Sequence, residues 1–424
     1  MKKIIKPVFV FFLAFFARAV VRRYRPKIVM VTGSVGKTST KDAVAAALAA
    51  RFFVRKSEKS FNSEFGVPFT ILGVQNPWDN PFAWFSVLKS SLALLLLPNH
   101  YPNMLVLEVG ADKPGDLARI LRIATPDAVV VTRLPEIPVH VEAYASPEAV
   151  REEEFSPAHA LPAGAPLIVS ADDAYALDHA LRTPARVISY GSADDALVRA
   201  VSAGFYEENG VVAGMAITVA LDGEQGKYEV KGSVGRTQVL PVVAALAAAH
   251  ALQIPLAEAL EALEDYVPPP GRGRLFAGIH DSVIIDDSYN ASPAAVEEAL
   301  LTLREFPRAK RCIAILGDML ELGRYSVMEH ERISALANDS ADVVVAVGIR
   351  ARAFATVPGK AETILFDNAR TAAETLPDFV RAGDVILVKG SQSIRTERIV
   401  KALLAHPEEC CRLVRQEKKW EKKA

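Results

Sequence analysis

The stretch VMVTGSVGKTSTKD, residues 29–42, places Gly-Lys-Thr between an apolar run and an alanine-rich segment. The run KIVMVTG has the composition of a buried β-strand, and KTSTKDAVAAALAARF after it has the pattern of a helix. A glycine-containing loop between a strand and a helix directs backbone N–H groups and the helix N-terminus at a phosphate. The stretch therefore predicts a nucleotide phosphate site within an α/β fold.

The loop is shorter than the common phosphate loop G-x-x-x-x-G-K-[ST], because Val31 rather than glycine stands five positions before Gly36. We expect Lys37 to neutralise the terminal phosphates and Thr38 to reach a bound Mg²⁺ ion. An ordinary glycine turn between strand and helix is the alternative interpretation. The predicted nucleotide-binding residues of the loop are Gly33, Ser34, Val35, Gly36, Lys37, Thr38 and Ser39.

Further apolar strands alternate with helical segments along the chain, which predicts mostly parallel sheets. Proline and glycine cluster in VPPPGRGR, residues 267–274, and the alternation restarts after that stretch. We therefore predict a central nucleotide-binding domain over residues 29–268 and a Rossmann-like α/β domain over residues 269–405. Residues 406–424 are expected to be a charged tail, whose last residues, RQEKKWEKKA (415–424), are solvated or disordered with nothing to bury.

The N-terminal segment, residues 1–28, carries only basic charges around an apolar core that Arg18 interrupts. A spanning helix needs about 20 apolar residues, so this core is too short to cross a membrane comfortably. We expect a helix that lies on the inner membrane face with its basic flanks on anionic lipid. A helix packed on the body of the protein is the alternative. Residues 80–102, rich in aromatics and leucine, are either a core helix or a helix that faces a membrane or a partner.

The overall composition argues against a nucleic-acid-binding protein, because the formal net charge is −1 over 424 residues. Half of the residues are hydrophobic, which is enough for two or three domain cores. The cysteines Cys312, Cys410 and Cys411 have no metal-binding spacing and fit a reducing compartment. We therefore expect a cytoplasmic protein, with peripheral membrane contact through residues 1–28.

Six further blocks follow the loop. They are FNSEFGVP (61–68), LEVGADKPGD (107–116), VHVEAY (139–144), IIDDSYNASP (284–293), ILGDMLELG (315–323) and VKGSQSIR (388–395). In this order and spacing the set closely resembles the Mur ligases of peptidoglycan synthesis, from about residue 28 to about residue 402. The runs DDSYNASP, LGDM and ELG are most similar to the branch that adds D-alanyl-D-alanine.

The resemblance implies an ATP-dependent amide ligation. A substrate carboxylate attacks the γ-phosphate and becomes an acyl phosphate, and an incoming amine then displaces the phosphate. Such chemistry needs cations that screen the anionic groups, a dry site and two substrates held in line. A clamp of two domains supplies the last two requirements by closing.

The resemblance also assigns residues. Lys37, Glu108, His140 and Lys389 are expected to be catalytic, with Thr38 and Glu108 on a first Mg²⁺ ion and His140 on a second. His330 is either a residue of the cleft or merely a helix residue. The positions that match the ATP-binding residues of the second domain are Arg274, Asp287, Tyr289 and Asn290, and the substrate-side positions are Asn62, His330 and Ser391.

One departure concerns the second metal site. The family usually has a carbamylated lysine soon after its metal-binding histidine, and the carbamate helps to hold that Mg²⁺ ion. This chain has no lysine between Lys113 and Lys227, and REEEF, residues 151–155, stands at the matching place. We expect Glu153 or Glu154 to replace the carbamate, since both groups are hard oxygen anions. A solvated acidic helix turn is the alternative.

Two other departures affect substrate recognition. Thr237, Gln238 and Pro241 stand where the family has a histidine and two asparagines, one of which helps to read adenine, so the base specificity is open. The family's usual N-terminal domain binds the uridine diphosphate part of the precursor, whereas only about 28 residues precede the loop here. We therefore expect an acceptor that is not held by its nucleotide, and a lipid-linked peptide is one hypothesis.

The leading interpretation is an ATP- and Mg²⁺-dependent ligase that acts on a cell-wall peptide precursor, in the cytoplasm or at the inner membrane face. A Mur-like ligase with a lipid-linked or non-cell-wall acceptor is the second interpretation. A degenerate nucleotide-binding scaffold is the third.

Overall fold

The computed structural model describes residues 2–58, 62–77, 83–417 and 420, with side chains from residue 9 onward. Two sheets organise these residues, one before and one after residues 264–273. Helices cover both faces of each sheet, and the predicted α/β class with mostly parallel strands is confirmed.

The first sheet contains the phosphate-loop strand. Its strands are β1 (Lys27–Thr32), β2 (Val54–Lys56), β3 (Met104–Glu108), β4 (Ala128–Val131), β5 (Pro166–Ser170), β6 (Arg186–Gly191), β7 (Val198–Glu208), β8 (Val211–Leu221) and β9 (Glu224–Lys231). Their order is β2-β3-β1-β4-β5-β6-β7-β8-β9, with parallel pairing from β2 to β7 and antiparallel pairing from β7 to β9. The end of β1 is thus a topological switch point, where open α/β sheets bind ligands.

Helices pack on this sheet from both sides. They are α1 (Lys2–Tyr24), α2 (Lys37–Leu48), α3 (Gly66–Leu72), α4 (Ala83–Leu96), α5 (Asp116–Leu121), α6 (Pro147–His159), α7 (Ala174–Ala180), α8 (Arg236–Ala251) and α9 (Leu256–Leu263). Val29 and Val31 of β1 pack with α2 and α8, whereas Ile28 and Met30 pack with α1, α3 and α6. This alternation buries β1 on both faces and so fixes the position of the loop that follows it.

The second sheet brings three loops to one edge. Its strands are β10 (Arg274–Gly278), β11 (Ser282–Asp287), β12 (Arg311–Gly317), β13 (Val343–Val347), β14 (Glu362–Phe366) and β15 (Asp384–Lys389). Their order is β10-β11-β15-β12-β13-β14, and every pair but β10–β11 is parallel. The carboxyl ends of β11, β15 and β12 are therefore adjacent, so residues 288–291, 390–393 and 318–321 meet. The accompanying helices are α10 (Pro293–Arg304), α11 (Ser326–Ser340), α12 (Ala369–Thr375) and α13 (Glu397–Leu403).

The two units contact each other directly. Helix α10 packs against α8, and the rings of Phe205 and Phe306 lie 5.3 Å apart. Arg133 Nη1 lies 2.7 Å from Glu298 Oε1 across the same boundary. The edge of the second sheet is thereby held opposite the end of β1.

The N-terminal segment and residues 80–102 form adjacent helices. Helix α1 packs on α3 and α4 and buries Leu13, Ala17 and Val20. The N-terminal helix is therefore packed on the body of the protein, which was the alternative interpretation of this segment. Helix α4 lies within the predicted 80–102 segment, of which residues 80–82 fall outside the described residues. Within the described part of the chain, every helix is too short or too polar to cross a membrane.

The prediction of a solvated or disordered tail over residues 415–424 is wrong for Arg415, the residue with which that segment begins. Residues Pro407–Arg412 form a 3₁₀ turn, and Leu413 joins the core of the second unit. Arg415 is 8% exposed and its Nη1 donates a 2.9 Å hydrogen bond to Glu397 Oε2. The apolar pair Leu413–Val414 could have indicated that this segment packs on the protein. The many charged residues around the pair favoured a solvated segment instead.

Candidate active site

The phosphate loop takes its shape from two glycines. Gly33 has φ +116°, and a Cβ on it would lie 2.3 Å from Thr132 Oγ1. Gly36 has φ +87° and directly precedes α2. An L side chain is strained at such φ values, so both positions require glycine. The loop thus turns sharply from β1 into α2 and presents the N-terminus of a 12-residue helix to a cavity of about 680 Å³ between the two units.

Glu154 ties the loop together from helix α6. Its Oε2 accepts hydrogen bonds from Gly33 N at 3.2 Å and from Thr32 Oγ1 at 3.0 Å. Its Oε1 lies 3.6 Å from Lys37 Nζ, which also donates to the Gly33 carbonyl. Because Glu154 is only 2% exposed and lines the cavity, its charge acts on the loop with little solvent screening.

Glu108 lies beside the loop at the end of β3. Its Oε1 accepts a 3.2 Å hydrogen bond from Thr38 Oγ1. Its Oε2 is buried and has no hydrogen-bond partner among the described residues. Burial raises the pKa of this carboxyl, while the positive charges of Lys41, Lys37 and Arg272 oppose that rise. A buried carboxylate oxygen that lacks a partner and faces a phosphate site is suited to a cation.

His140 joins the two units. It has φ +66°, and its Nδ1 lies 2.8 Å from Glu321 Oε2 of the second unit, while its Nε2 lies 3.6 Å from Asp112 Oδ1. Burial lowers the pKa of His140, but the hydrogen bond and charge of Glu321 outweigh it, so the net pKa is raised. The same hydrogen bond lowers the pKa of Glu321. The residue predicted as a metal ligand therefore also contacts the second unit across the cleft, through Glu321.

The second unit contributes the opposite wall. Tyr289 and Asn290, predicted to bind ATP, and Ser391, predicted to lie on the substrate side, line the cavity, and Asn62 lines it from the first unit. Ser391 Oγ accepts a 2.9 Å hydrogen bond from Leu320 N, which couples the loops after β12 and β15.

Lys389 and Asp287 form a buried pair behind this wall. Lys389 Nζ lies 2.6 Å from Asp287 Oδ2 and 3.0 Å from the Asn290 carbonyl. Burial lowers the pKa of Lys389, and the charge of Asp287 partly restores it. The pair does not line the cavity, so it positions the 288–290 loop instead of facing a ligand.

Other predicted residues also lie outside the cavity lining, among them Gly33 and Ser39 of the loop. His330 is fully buried in α11, where its Nε2 accepts from Met319 N at 3.1 Å, which realises the helix-residue alternative. Glu153 accepts hydrogen bonds from Gly115 N and Leu117 N and so caps helix α5. Arg274 begins β10 and does not line the cavity, because the chain turns at Gly273, which has φ +67°, between it and the cavity-lining Arg272.

Sequence reasoning missed several residues that line the cavity. Arg272, two positions before Arg274, lies with its guanidinium 4.2 Å from the ring centroid of Tyr289. Gln238 stands at the altered adenine block. It donates a 2.6 Å hydrogen bond to the Arg272 carbonyl and so supports the segment that leads into β10. The other missed residues are Asp112, Glu321, Arg395 and Trp420. Asp112 and Glu321 lie inside the sequence blocks 107–116 and 315–323, so the sequence already offered these two acidic side chains as candidates for the site.

Trp420 reaches the cavity from the C-terminal segment. Arg395 Nη1 donates a 2.8 Å hydrogen bond to the Trp420 carbonyl, and its guanidinium lies 5.4 Å from the indole centroid. Arg415 donates to the carbonyls of Ser288 and Tyr289, which anchors the segment to the wall of the cavity. The cavity is thus closed at one end by a segment distant in sequence from every motif.

The residues at the loop fit a magnesium ion that is shared with phosphate oxygens. Among the described residues no group of three or more His, Cys, Asp and Glu side chains is arranged to hold a metal ion alone. Mg²⁺ commonly takes one or two carboxylates and completes its shell with water and substrate phosphates. The unpartnered Glu108 Oε2 next to Thr38 supplies such a set.

Comparison with known proteins gives two family matches. Residues 31–249 match the Mur ligase middle domain, and residues 271–392 match the Mur ligase glutamate ligase domain. The UDP-N-acetylmuramoyl-tripeptide–D-alanyl-D-alanine ligase of Bacillus subtilis is 26% identical over 92% of this chain and 79% of its own length. That of Mycobacterium tuberculosis is 30% identical over 89% of this chain and 73% of its own length.

Solved structures show the same likeness. The MurF ligase of Thermotoga maritima in complex with ADP has a TM-score of 0.77 and 25% identity, over 98% of this chain and 85% of that one. A folylpolyglutamate synthase of Mycobacterium tuberculosis complexed with ADP has a TM-score of 0.60 and 18% identity, over 91% of this chain and 94% of that one. The second likeness is one of fold alone.

Proposed function

Because the chain belongs to the Mur ligase family of ATP-dependent carboxylate–amine ligases, we propose that it joins D-alanyl-D-alanine, or a similar amine, to a carboxylate of a cell-wall peptide precursor. The observation that supports this proposal is the convergence, in one cavity, of the phosphate loop with the loops at the carboxyl edge of the second sheet. A site that only bound nucleotide would not need two units closed over it.

The reaction proceeds in two displacements. A carboxylate oxygen of the acceptor bonds to the γ-phosphorus of ATP, and the bond to ADP breaks. The amine nitrogen then bonds to the acyl carbon, the phosphate leaves with that carboxylate oxygen, and the amine loses a proton. Lys37 neutralises charge on the transferred phosphoryl group, and the closed cleft keeps water from the acyl phosphate.

The side chains around the phosphate loop form two candidate Mg²⁺ sites. We propose that Thr38 and Glu108 hold one Mg²⁺ ion and that His140 and Glu154 approach a second. The ions would screen the phosphate charges. Of the two glutamates expected to replace the carbamate, Glu154 faces the cavity, whereas Glu153 is engaged with the backbone of α5. We therefore propose Glu154 alone as the residue that replaces the carbamate.

The cellular setting follows from the substrates. ATP and a cell-wall precursor meet in the cytoplasm, and we propose that the enzyme works there, at the inner face of the membrane, with residues 1–28 in contact with lipid. A lipid-linked acceptor is the form that this location favours. A nucleotide-linked acceptor would instead bind through groups outside the cavity described above.

The test is phosphate release by the purified chain with ATP, Mg²⁺ and D-alanyl-D-alanine. Acceptor peptides would be supplied in nucleotide-linked, lipid-linked and free form. We expect release that requires both the acceptor and the amine, together with a new amide detected by mass spectrometry. ATP binding without release for any pair would contradict the proposal and favour a scaffold.

A further inference from the structure

Helices α1 and α4 form one layer on the outside of the first unit. Tyr24 at the end of α1 donates a 2.7 Å hydrogen bond from its hydroxyl to the Leu94 carbonyl of α4. At the other end of the layer, the rings of Phe9 and Trp84 lie 4.1 Å apart. The inner faces of both helices are buried, with Ala17 at 0% and Val87 at 7% exposure. The two helices are therefore joined to each other at both ends, and their buried inner faces fix the layer to the body.

The outer face of this layer is apolar. Helix α1 exposes phenylalanines at positions 11, 12 and 15, and α4 exposes large apolar side chains at 85, 88, 92 and 96, a helical repeat along one side. A soluble protein rarely leaves so many large apolar side chains together in water. The members of this outer face are Phe11, Phe12, Phe15, Phe85, Leu88, Leu92, Leu96 and Leu97.

The charges on the layer have one sign. Neither helix contains an acidic residue, and none occurs before Asp42. Arg22, Arg23 and Lys89 are exposed on the two helices. The whole chain has a net charge of −1, so this positive charge is a local feature and not a consequence of composition. An apolar face with basic residues around it complements an anionic lipid surface.

We propose that the outer face of α1 and α4 docks on the surface of an anionic lipid bilayer, with both helices parallel to it. Helix α1 cannot insert across the bilayer without leaving α3 and α4, with which it shares its buried residues. A second copy of this chain fits the face less well, because self-association would bring Arg22, Arg23 and Lys89 of two copies together. The proposal goes beyond the ligase activity and does not depend on it, because lipid binding requires neither ATP nor acceptor.

The experiment is co-sedimentation of the full chain with vesicles of phosphatidylcholine containing a quarter phosphatidylglycerol, against vesicles of phosphatidylcholine alone. We expect binding to the anionic vesicles, at least tenfold weaker binding to the neutral ones, and loss of binding at high salt. Two variants test the two helices separately: Phe11→Ser with Phe15→Ser, and Phe85→Ser with Leu92→Ser. Each is expected to weaken binding at least tenfold, because both helices contribute.

The matched control is Leu181→Ser with Val211→Ser, which removes exposed apolar side chains elsewhere on the surface and is expected to leave binding unchanged. Unchanged binding by either test variant, or absence of binding to anionic vesicles, would overturn the proposal. So would a dimer of the lipid-free chain that the same substitutions abolish. ATP turnover with a soluble acceptor, measured on the same variants, is expected to stay at the level of the unmodified chain, which separates this proposal from the ligase function.

Discussion

The two ends of the cavity are built differently. At the phosphate end, the loop, Thr38 and Lys37 come from one continuous stretch, and Glu108 follows the neighbouring strand. At the other end, Arg272, Arg395 and Trp420 come from three separate segments. The first end is therefore encoded by local sequence, whereas the second depends on how distant segments pack.

The difference extends to the forces that hold each end. Direct charge and backbone hydrogen bonds hold the phosphate end, where Glu154 contacts both the loop and Lys37. At the other end, guanidinium groups lie over aromatic rings, as Arg272 does over Tyr289. Such contacts tolerate several ligands, since stacking depends on ring area more than on hydrogen-bond geometry. Substitutions should therefore cost more at the phosphate end.

The largest effect is expected for Lys37→Ala. Removal of one preorganised charged donor from a transition state typically lowers the rate by about 10²–10³-fold, and we expect a fall in kcat of that size. Steady-state phosphate release measures it. Lys227→Ala, an exposed substitution remote from the cavity, serves as the control. A kcat within twofold of the unmodified chain would show that Lys37 does not act on the transferred phosphate.

Glu154→Gln should have the next largest effect. The amide retains the size and one acceptor of the carboxylate but loses its charge, so we expect the Mg²⁺ concentration for half-maximal activity to rise by about 10–100-fold. A magnesium titration of phosphate release measures this. Glu152→Gln is the matched control, because Glu152 is exposed and pairs with His159. If both variants needed the same Mg²⁺ concentration for half-maximal activity, Glu154 would only support the loop and would not bind the metal.

Trp420→Ala tests the other end of the cavity. If the indole borders the nucleotide base, its loss should raise KM for ATP by about 5–10-fold and leave kcat nearly unchanged, as expected for a stacking contact of about 1 kcal/mol. Trp420→Phe retains a ring and should recover most of the affinity. An unchanged KM for ATP in the alanine variant would mean that the C-terminal segment does not contact the nucleotide.

The last prediction concerns the pH dependence of stability and is expected to leave the comparison between the two ends of the cavity unchanged. Burial raises the pKa of Asp286 to about 6, so the folded state holds this proton more tightly than the unfolded state. Its ionisation therefore costs stability progressively as the pH rises from about 4 to 6, by up to ~3 kcal/mol. Asp286→Asn should be more stable than the unmodified chain at pH 8 and lose that advantage near pH 4. Urea unfolding of both at the two pH values measures this, with the exposed Asp281→Asn as control.

A stability difference between Asp286→Asn and the unmodified chain that stayed constant from pH 4 to pH 8 would contradict this account. It would mean that the carboxyl does not titrate differently in the folded and unfolded states.

The sequence predicted best what local pattern determines. The strand–loop–helix at residues 29–42 follows from local pattern. Glu108, Tyr289, Asn290 and Ser391 were assigned by the resemblance to the family, and the structure places all four at the cavity. The structure departs from expectation where side-chain direction decides. Arg272 and Arg274 differ by two positions and cannot be told apart by motif, and a glutamate run does not reveal which member faces the loop.

Long-range packing accounts for the remaining differences. His330 follows a cavity-lining block closely, yet the turn of α11 points it into the interior. The charge of the C-terminal segment predicts that it is solvated. In the structure, Arg415 donates a hydrogen bond to Glu397, which also accepts one from Arg395. This buried cluster has no sequence signature, since Arg415 lies 18 residues along the chain from Glu397.

The central claim is that the phosphoryl group passes from ATP to a carboxylate, and oxygen transfer tests it most directly. The acceptor carboxylate would be enriched in ¹⁸O and ligation run to completion with ATP, Mg²⁺ and D-alanyl-D-alanine. Since the leaving phosphate takes one oxygen from the acyl phosphate, the account predicts one ¹⁸O atom per released phosphate by mass spectrometry. Released phosphate without ¹⁸O would show that water takes the phosphoryl group, which contradicts the account.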